Sequence, residues 1–269
     1  MSRRFRGLFA CTLTLAASLA ITPPAAAQSL PATGLSQPGV ETSVPSLERP
    51  DAIFTDLFKQ SAGDFRNLPS KDNLKWLGIG GLVAGLGAAI DQPTSNNFSQ
   101  ARSLDAPFQP GATIGGARFQ LASALATYTI GHAIGNRKAA QVGGDLLRAQ
   151  ILSQAITAGV KWSVGRTRPD GTMYSFPSGH SSVTFASATV LQRNFGWKVG
   201  IPGYAVATYV AASRVQEKRH FFSDVAFGAA VGIVSGRTVT IGRGESRFAL
   251  APMAAPGGGG VSFSWVGNR

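Results

Sequence analysis

Three basic clusters between Lys161 and Asp224 are spaced to close around one phosphoryl group. The first is Lys161-Trp-Ser-Val-Gly-Arg166-Thr-Arg168-Pro169. The second is Pro177-Ser178-Gly179-His180, and the third joins Ser213-Arg214 to His220 and Asp224. Lys161, Arg168 and Arg214 can neutralise non-bridging oxygens, and the planar forks of the two arginines suit bidentate contact with phosphate. Pro177-Ser178-Gly179 predicts a turn leading into a helix. Gly179 there lets the backbone approach an anion, with N–H groups and the positive helix end aimed at it. His220 and Asp224 are four apart, so on one helix their side chains are neighbours. A carboxylate so placed can hold one imidazole nitrogen as N–H and leave the other free to attack phosphorus. His180 is a second imidazole, able to donate a proton to a leaving oxygen.

These clusters need helices to carry them, and the apolar pattern supplies six segments, near 73–90, 117–134, 140–163, 180–194, 198–215 and 220–236. The third is the most informative. Val142, Leu146, Leu147, Ile151, Leu152, Ala155, Ile156 and Val160 keep to one stripe, interrupted on other faces by Asp145, Arg148, Gln150 and Gln154. That pattern predicts a helix packed in a water-surrounded domain, ending where it presents Lys161. The first segment is rich in glycine, which predicts close helix packing. Residues 91–116, rich in Pro, Asn, Ser and Gly, read as a long loop. Upstream, an amphipathic helix over 51–60 follows a Pro/Ser/Thr-rich linker at 28–50. Downstream, residues 241–269 alternate in part (Phe248, Leu250; Val261, Phe263, Trp265) around Pro256 and four glycines, predicting a β-hairpin. The expected fold class is all-α, a bundle of about six core helices, with this small hairpin appended.

Residues 1–27 read as a secretory signal peptide: arginines first, then an apolar stretch, then Ala25-Ala26-Ala27. Cys11, the single cysteine of the chain, falls inside it, so the mature chain is expected to lack disulfide and thiol chemistry. The formal net charge is +12, with three of the arginines in residues 1–27. Such an excess favours anionic partners. Nucleic acid is not expected among them, because there is no zinc-ligand spacing, no basic recognition helix and no aromatic-studded basic strand. A mean hydropathy of +0.09 lies between soluble and membrane domains.

Taken in order, the three clusters resemble the type 2 phosphatidic acid phosphatase (PAP2) and vanadium haloperoxidase superfamily, whose pattern is K-x6-R-P, P-S-G-H and S-R-x5-H-x3-D. Every specified position is present, and the resemblance runs from about Gln141 to Gly236. It implies a helical phosphatase domain over 51–240, working without metal or cofactor through a phosphohistidine. His220 would be the nucleophile, Asp224 its orienting acid and His180 the general acid. Lys161, Arg168, Ser178, Gly179 and Arg214 would bind phosphate. One departure is the short stretch 170–176 between the first two clusters, which leaves little room for a substrate-covering loop. The substrate class implied is a phosphomonoester or diphosphate, lipid-linked or small, and Ser-Phe-Pro-Ser-Gly-His-Ser looks closer to the lipid phosphatases. Two alternatives are a vanadium-dependent haloperoxidase and a non-catalytic phospho-ligand binder.

Integral members of that superfamily have six spans with the site outside. Here no segment reaches eighteen uninterrupted apolar residues. A cleaved signal peptide would also leave the loop after the third segment on the cytoplasmic side. An exported, periplasmic domain, soluble or peripheral to the membrane, is therefore expected, with six spans as the alternative. Oligomeric state is not legible. Several residues have plainer readings. Ser178 is also a natural helix cap, Arg166 divides between phosphate contact and solvated charge, and His132 reads as a satisfied helix residue. Trp162, Phe221 and Phe222 read as core packing, Tyr174 as lining for an apolar substrate slot, and Lys218 and Arg219 as solvated.

Overall fold

A computed structural model describes residues 50–241, 247–255 and 258–266. The expected signal peptide and, up to residue 49, the linker lie outside the described residues. Among the described residues there are ten α-helices and one hairpin: α1 (Pro50–Asn67), α2 (Lys71–Gly87), α3 (Asp91–Gln100), α4 (Asp105–Phe108), α5 (Pro110–Ile114), α6 (Ala117–Ala133), α7 (Arg137–Val164), α8 (Gly179–Phe195), α9 (Trp197–Gln216), α10 (Phe222–Val239), β1 (Arg247–Ala255) and β2 (Gly258–Val266). The strands pair antiparallel from Arg247↔Val266 to Ala255↔Gly258. Helices α2 and α6–α10 answer to the six segments expected from the sequence, α1 covers and extends the amphipathic helix expected over 51–60, and the fold is all-α apart from the hairpin.

Local chemistry sets the helix ends. Ser70 caps α2 by accepting from Asn73 N at 3.2 Å, and Asn136 caps α7 by accepting from Ala139 N at 3.0 Å, each satisfying an orphan N–H of a first turn. Gly165, at φ 60°, ends α7, a left-handed position that costs glycine little. The stretch 91–116 is not the loop that its composition suggests. It folds as α3, α4 and α5, joined by short turns. Pro93 and Pro110 occupy first-turn positions, where the missing N–H costs nothing.

Small residues let the bundle close. Gly228, Gly232 and Gly236 form one stripe of α10 against α8. A Cβ added to them would stand 2.6 Å from Ser178 O, 2.3 Å from Ser182 O and 2.6 Å from Thr189 Cβ. On the other side of α10, Gly80 of α2 meets Ala230.

The third helix departs from expectation in a telling way. Along Val142–Gln150 α7 is buried on every side, because α1, α6, α8 and α10 surround it. Its polar side chains therefore pair internally, as buried charges must. Arg148 reaches Asp64 at 3.1 Å, Asp145 at 2.9 Å and the Val239 carbonyl at 2.9 Å. The outside is apolar instead: Leu82, Leu86, Leu125, Ile130, Ile151 and Ile201 are all exposed. Trp162, expected in the core, is 77% exposed. The stretch Lys71–Gln100 is long and apolar enough to cross a membrane by length and composition.

Candidate active site

The ends of α2, α7 and α9 and the starts of α6, α8 and α10 meet at one end of the bundle, and there the three clusters converge. The hub is Asp224, in the first turn of α10 and fully buried. Its Oδ2 accepts from Phe221 N at 2.8 Å and from the Ser175 hydroxyl, and it faces His220 Nδ1 at 3.6 Å. Its Oδ1 accepts from Arg166 Nη1 at 2.8 Å. Burial alone would raise its pKa. The nearby His220 Nδ1, the donations from Ser175 and Phe221 N and the charge of Arg166 reverse that and hold it below the ordinary carboxylate value, so Asp224 is a carboxylate at neutral pH.

Arg166 is neither a solvated charge nor a free phosphate ligand. Its guanidinium lies over the Phe221 ring at 4.3 Å, donates to Ser223 Oγ at 2.7 Å, and reaches Asp91 Oδ2 at 2.8 Å. Asp91 also accepts from Ser223 N at 2.9 Å. Asp91, Ser175 and Ser223 escaped the sequence reading. Asp91 sits far upstream in a stretch read as loop, so no local spacing points to it.

His220 precedes α10 instead of lying on it, which corrects the expectation of a one-helix pair. Its N–H and that of Arg219 both donate to the Arg214 carbonyl, at 3.2 and 3.0 Å. The tie places the ring above Asp224 as an i, i+4 helical pair would. At 3.6 Å the contact is longer than a hydrogen bond, yet Nδ1 is buried with no other partner. An Nδ1–H is thus aimed at a charge, leaving Nε2 as the unprotonated nitrogen. Burial pushes the imidazole below its usual value. Asp224 opposes this, and the charges of Lys161 and Arg168 add to it.

His180 stands in the first turn of α8. Burial, then the charges of Arg214, His220 and Arg168, push it down to about 4, against donation to the Ala112 carbonyl. Both imidazoles are thus held below their ordinary value and are neutral at pH 7.

Among the cations, Lys161 donates to the Tyr174 and Ser175 carbonyls at 2.6 and 3.4 Å. Burial and the nearby Arg168 lower it to about 8, with Asp224 opposing. Arg168 keeps a buried Nε without a hydrogen-bond partner, an open donor. Arg214 is buried and paired to Glu217 Oε1 at 2.5 Å, a partner that spacing did not reveal. Ser178 caps α8, accepting from Ser181 N at 3.4 Å, while its hydroxyl hydrogen stays available. Gly179 begins α8 with its N–H in the first turn. Among the described residues no group of three or more His, Cys, Asp or Glu stands together to hold a metal.

Around the site, Phe221 is buried as expected, and Tyr174 is exposed at φ 65°. Arg219 is not simply solvated, because it pairs with Asp170 at 2.9 Å and pins the 168–172 turn. His132 sits edge-on to Tyr128 at 4.7 Å, away from the site residues.

Residues 143–247 match the model of the PAP2 superfamily. The chain is 42% identical over 101 residues to a lipid A 1-phosphatase of Porphyromonas gingivalis, covering 35% of this chain and 23% of that one. It is 26% identical over 100 residues to a lipid A 4'-phosphatase of Helicobacter pylori, covering 33% and 50% respectively. The chain thus spans half or less of these relatives' lengths. It also resembles the crystal structure of Aquifex aeolicus LpxE, with TM-score 0.49 and 22% identity, covering 56% of this chain and 94% of that one.

Proposed function

We propose that this chain, whose residues 143–247 match the PAP2 superfamily model, is a phosphatase acting on a phosphorylated lipid through a phosphohistidine. The observation that carries this reading is the His220 ring held above a buried, hydrogen-bond-saturated Asp224 carboxylate. A phosphate binder needs cations but has no use for an oriented, neutral imidazole.

The geometry supports the following steps. His220 Nε2 attacks phosphorus as the bond to the leaving alkoxide breaks, and the Nδ1–H directed at Asp224 stabilises the charge that develops on the ring. Lys161, Arg168 and Arg214, with Ser178 and the Gly179 N–H, stabilise the equatorial oxygens, the largest contribution in sites of this kind. Arg214 must turn from Glu217 toward the anion. His180 starts neutral, and an incoming phosphate dianion restores its affinity for a proton. It then protonates the alkoxide and, in the second half, takes a proton from the water that cleaves the P–N bond.

The lipid class is supported by the names of both relatives, which are lipid A phosphatases, and by the exposed apolar exterior, with Lys71–Gln100 as the segment that enters the bilayer. Residues 1–27 would direct export. Phosphate release from phosphatidate, undecaprenyl diphosphate and small soluble esters, with and without detergent, tests this. Lipid substrates should be preferred in detergent. Release from small esters alone, or from none, would overturn the reading.

A further inference from the structure

Away from the phosphate site, a cleft of about 270 Å³ opens between α6 and α9 over a floor made by α7 and α8. Most of its wall is apolar or small, and its mouth carries the exposed Phe119 and Val206. Thr184, on the wall, donates to the His180 carbonyl at 2.8 Å. The cleft therefore begins one helical turn from the candidate general acid.

One polar feature breaks the apolar lining. Gln120 Nε2 donates to the Ile114 carbonyl at 2.8 Å, Ser187 Oγ donates to Gln120 Oε1 at 2.8 Å, and Gln150 Nε2 donates to Ser187 Oγ at 3.1 Å. The donors run one way, from Gln150 through Ser187 and Gln120 to the Ile114 carbonyl, which leaves Gln150 Oε1 as the open acceptor at the starting end. Gln150 is 3% exposed, lines the cleft, and this oxygen has no partner. A buried acceptor without a donor is unfavourable, and an occupant bearing N–H or O–H removes the penalty. Gln150 precedes Lys161 by eleven helical positions, roughly 16 Å along α7. That depth lies beyond a phosphate head group and falls within an attached chain. The volume lies just under the range of about 300 Å³ and upward typical of whole small-ligand sites, which suits a chain segment.

We propose that this cleft binds an acyl chain of the substrate and that Gln150 selects chains carrying a hydrogen-bond donor, a hydroxyl or an amide N–H. This rests on the lipid phosphatase reading and narrows its substrate class.

The test compares phosphate release by the full chain in detergent from three lipid monophosphates of equal chain length: hydroxylated, amide-linked and plain ester. The wild type should favour at least one donor-bearing chain by about tenfold in kcat/KM, the value of one satisfied hydrogen bond. Gln150→Leu should lose that preference while hydrolysing a water-soluble aryl phosphate at the wild-type rate. Phe119→Trp, at the exposed mouth, should weaken long-chain substrates and spare the aryl phosphate, and it serves if Gln150→Leu fails to fold. Equal rates on all three lipids, or a preference that survives Gln150→Leu, overturns the inference and leaves the phosphatase reading standing. If no ester releases phosphate, that reading fails. Thermal stabilisation by hydroxylated against plain fatty acid then decides the cleft, and equal shifts in wild type and Gln150→Leu overturn it.

Discussion

The carboxylates of Asp91 and Asp224 share one guanidinium, that of Arg166, at 2.8 Å each. A residue at the start of α3, just past α2, is thereby fastened to the acid that orients the candidate nucleophile. Asp91 touches neither phosphate ligand nor imidazole, so its effect on turnover runs through Arg166 and Asp224.

Asp91→Asn should therefore lower kcat by on the order of 10–100-fold, as outer partners of a functional group do, with KM within about twofold. Steady-state kinetics on one lipid substrate checks the split. A change confined to KM would remove Asp91 from this role.

The alkaline limb of the rate profile should belong to Lys161. Burial and Arg168 hold its ammonium at about 8, so the cation is present below that pH and lost above it. Log kcat/KM should fall as pH rises through 8. Lys161→Arg keeps its charge throughout this range and should carry activity past pH 9. An unchanged limb in that variant would assign it to another group.

Glu217 competes with the anion for Arg214 at 2.5 Å. Glu217→Gln should release the guanidinium and strengthen product inhibition by inorganic phosphate by about tenfold, the size of one charge-assisted hydrogen bond. Weaker inhibition would show that Glu217 instead holds Arg214 in its working position.

The α8–α10 contact predicts opposite signs for two glycines. Gly232→Ala drives a Cβ to 2.3 Å from Ser182 O, overpacking that costs about 1–3 kcal/mol. Gly159, mid-helix with no atom within 4 Å of an added Cβ, should gain up to ~1 kcal/mol on replacement by Ala. Thermal denaturation reads both. Equal shifts would mean that α8 and α10 do not pack this closely.

Much of the site was legible because its members lie on three short spacings, and six helices were legible from apolar runs. What sequence hid was relational. Nothing near Asp91 announces that Arg166 will reach it, since α2 must first fold against α10. Composition took 91–116 for loop, yet its prolines fall where helix starts tolerate them. The periodicity of α7 pointed its polar residues outward, on the assumption of water around the domain. In fact α1, α6, α8 and α10 enclose α7 on all sides along Val142–Gln150, polar and apolar residues alike, and the exposed apolar side chains lie mostly on other helices. His220 was assigned to a helix by its spacing from Asp224, whereas backbone bonds to Arg214 bring it to the same place from outside α10.

The most direct test of the central claim is rapid acid- or base-quench of the full chain turning over a ³²P-labelled lipid phosphate. The label should appear on histidine, acid-labile and base-stable, in wild type and be absent from His220→Ala, which should also lose turnover. A His220→Ala variant that still hydrolyses the lipid at the wild-type rate would contradict the assignment of His220 as nucleophile.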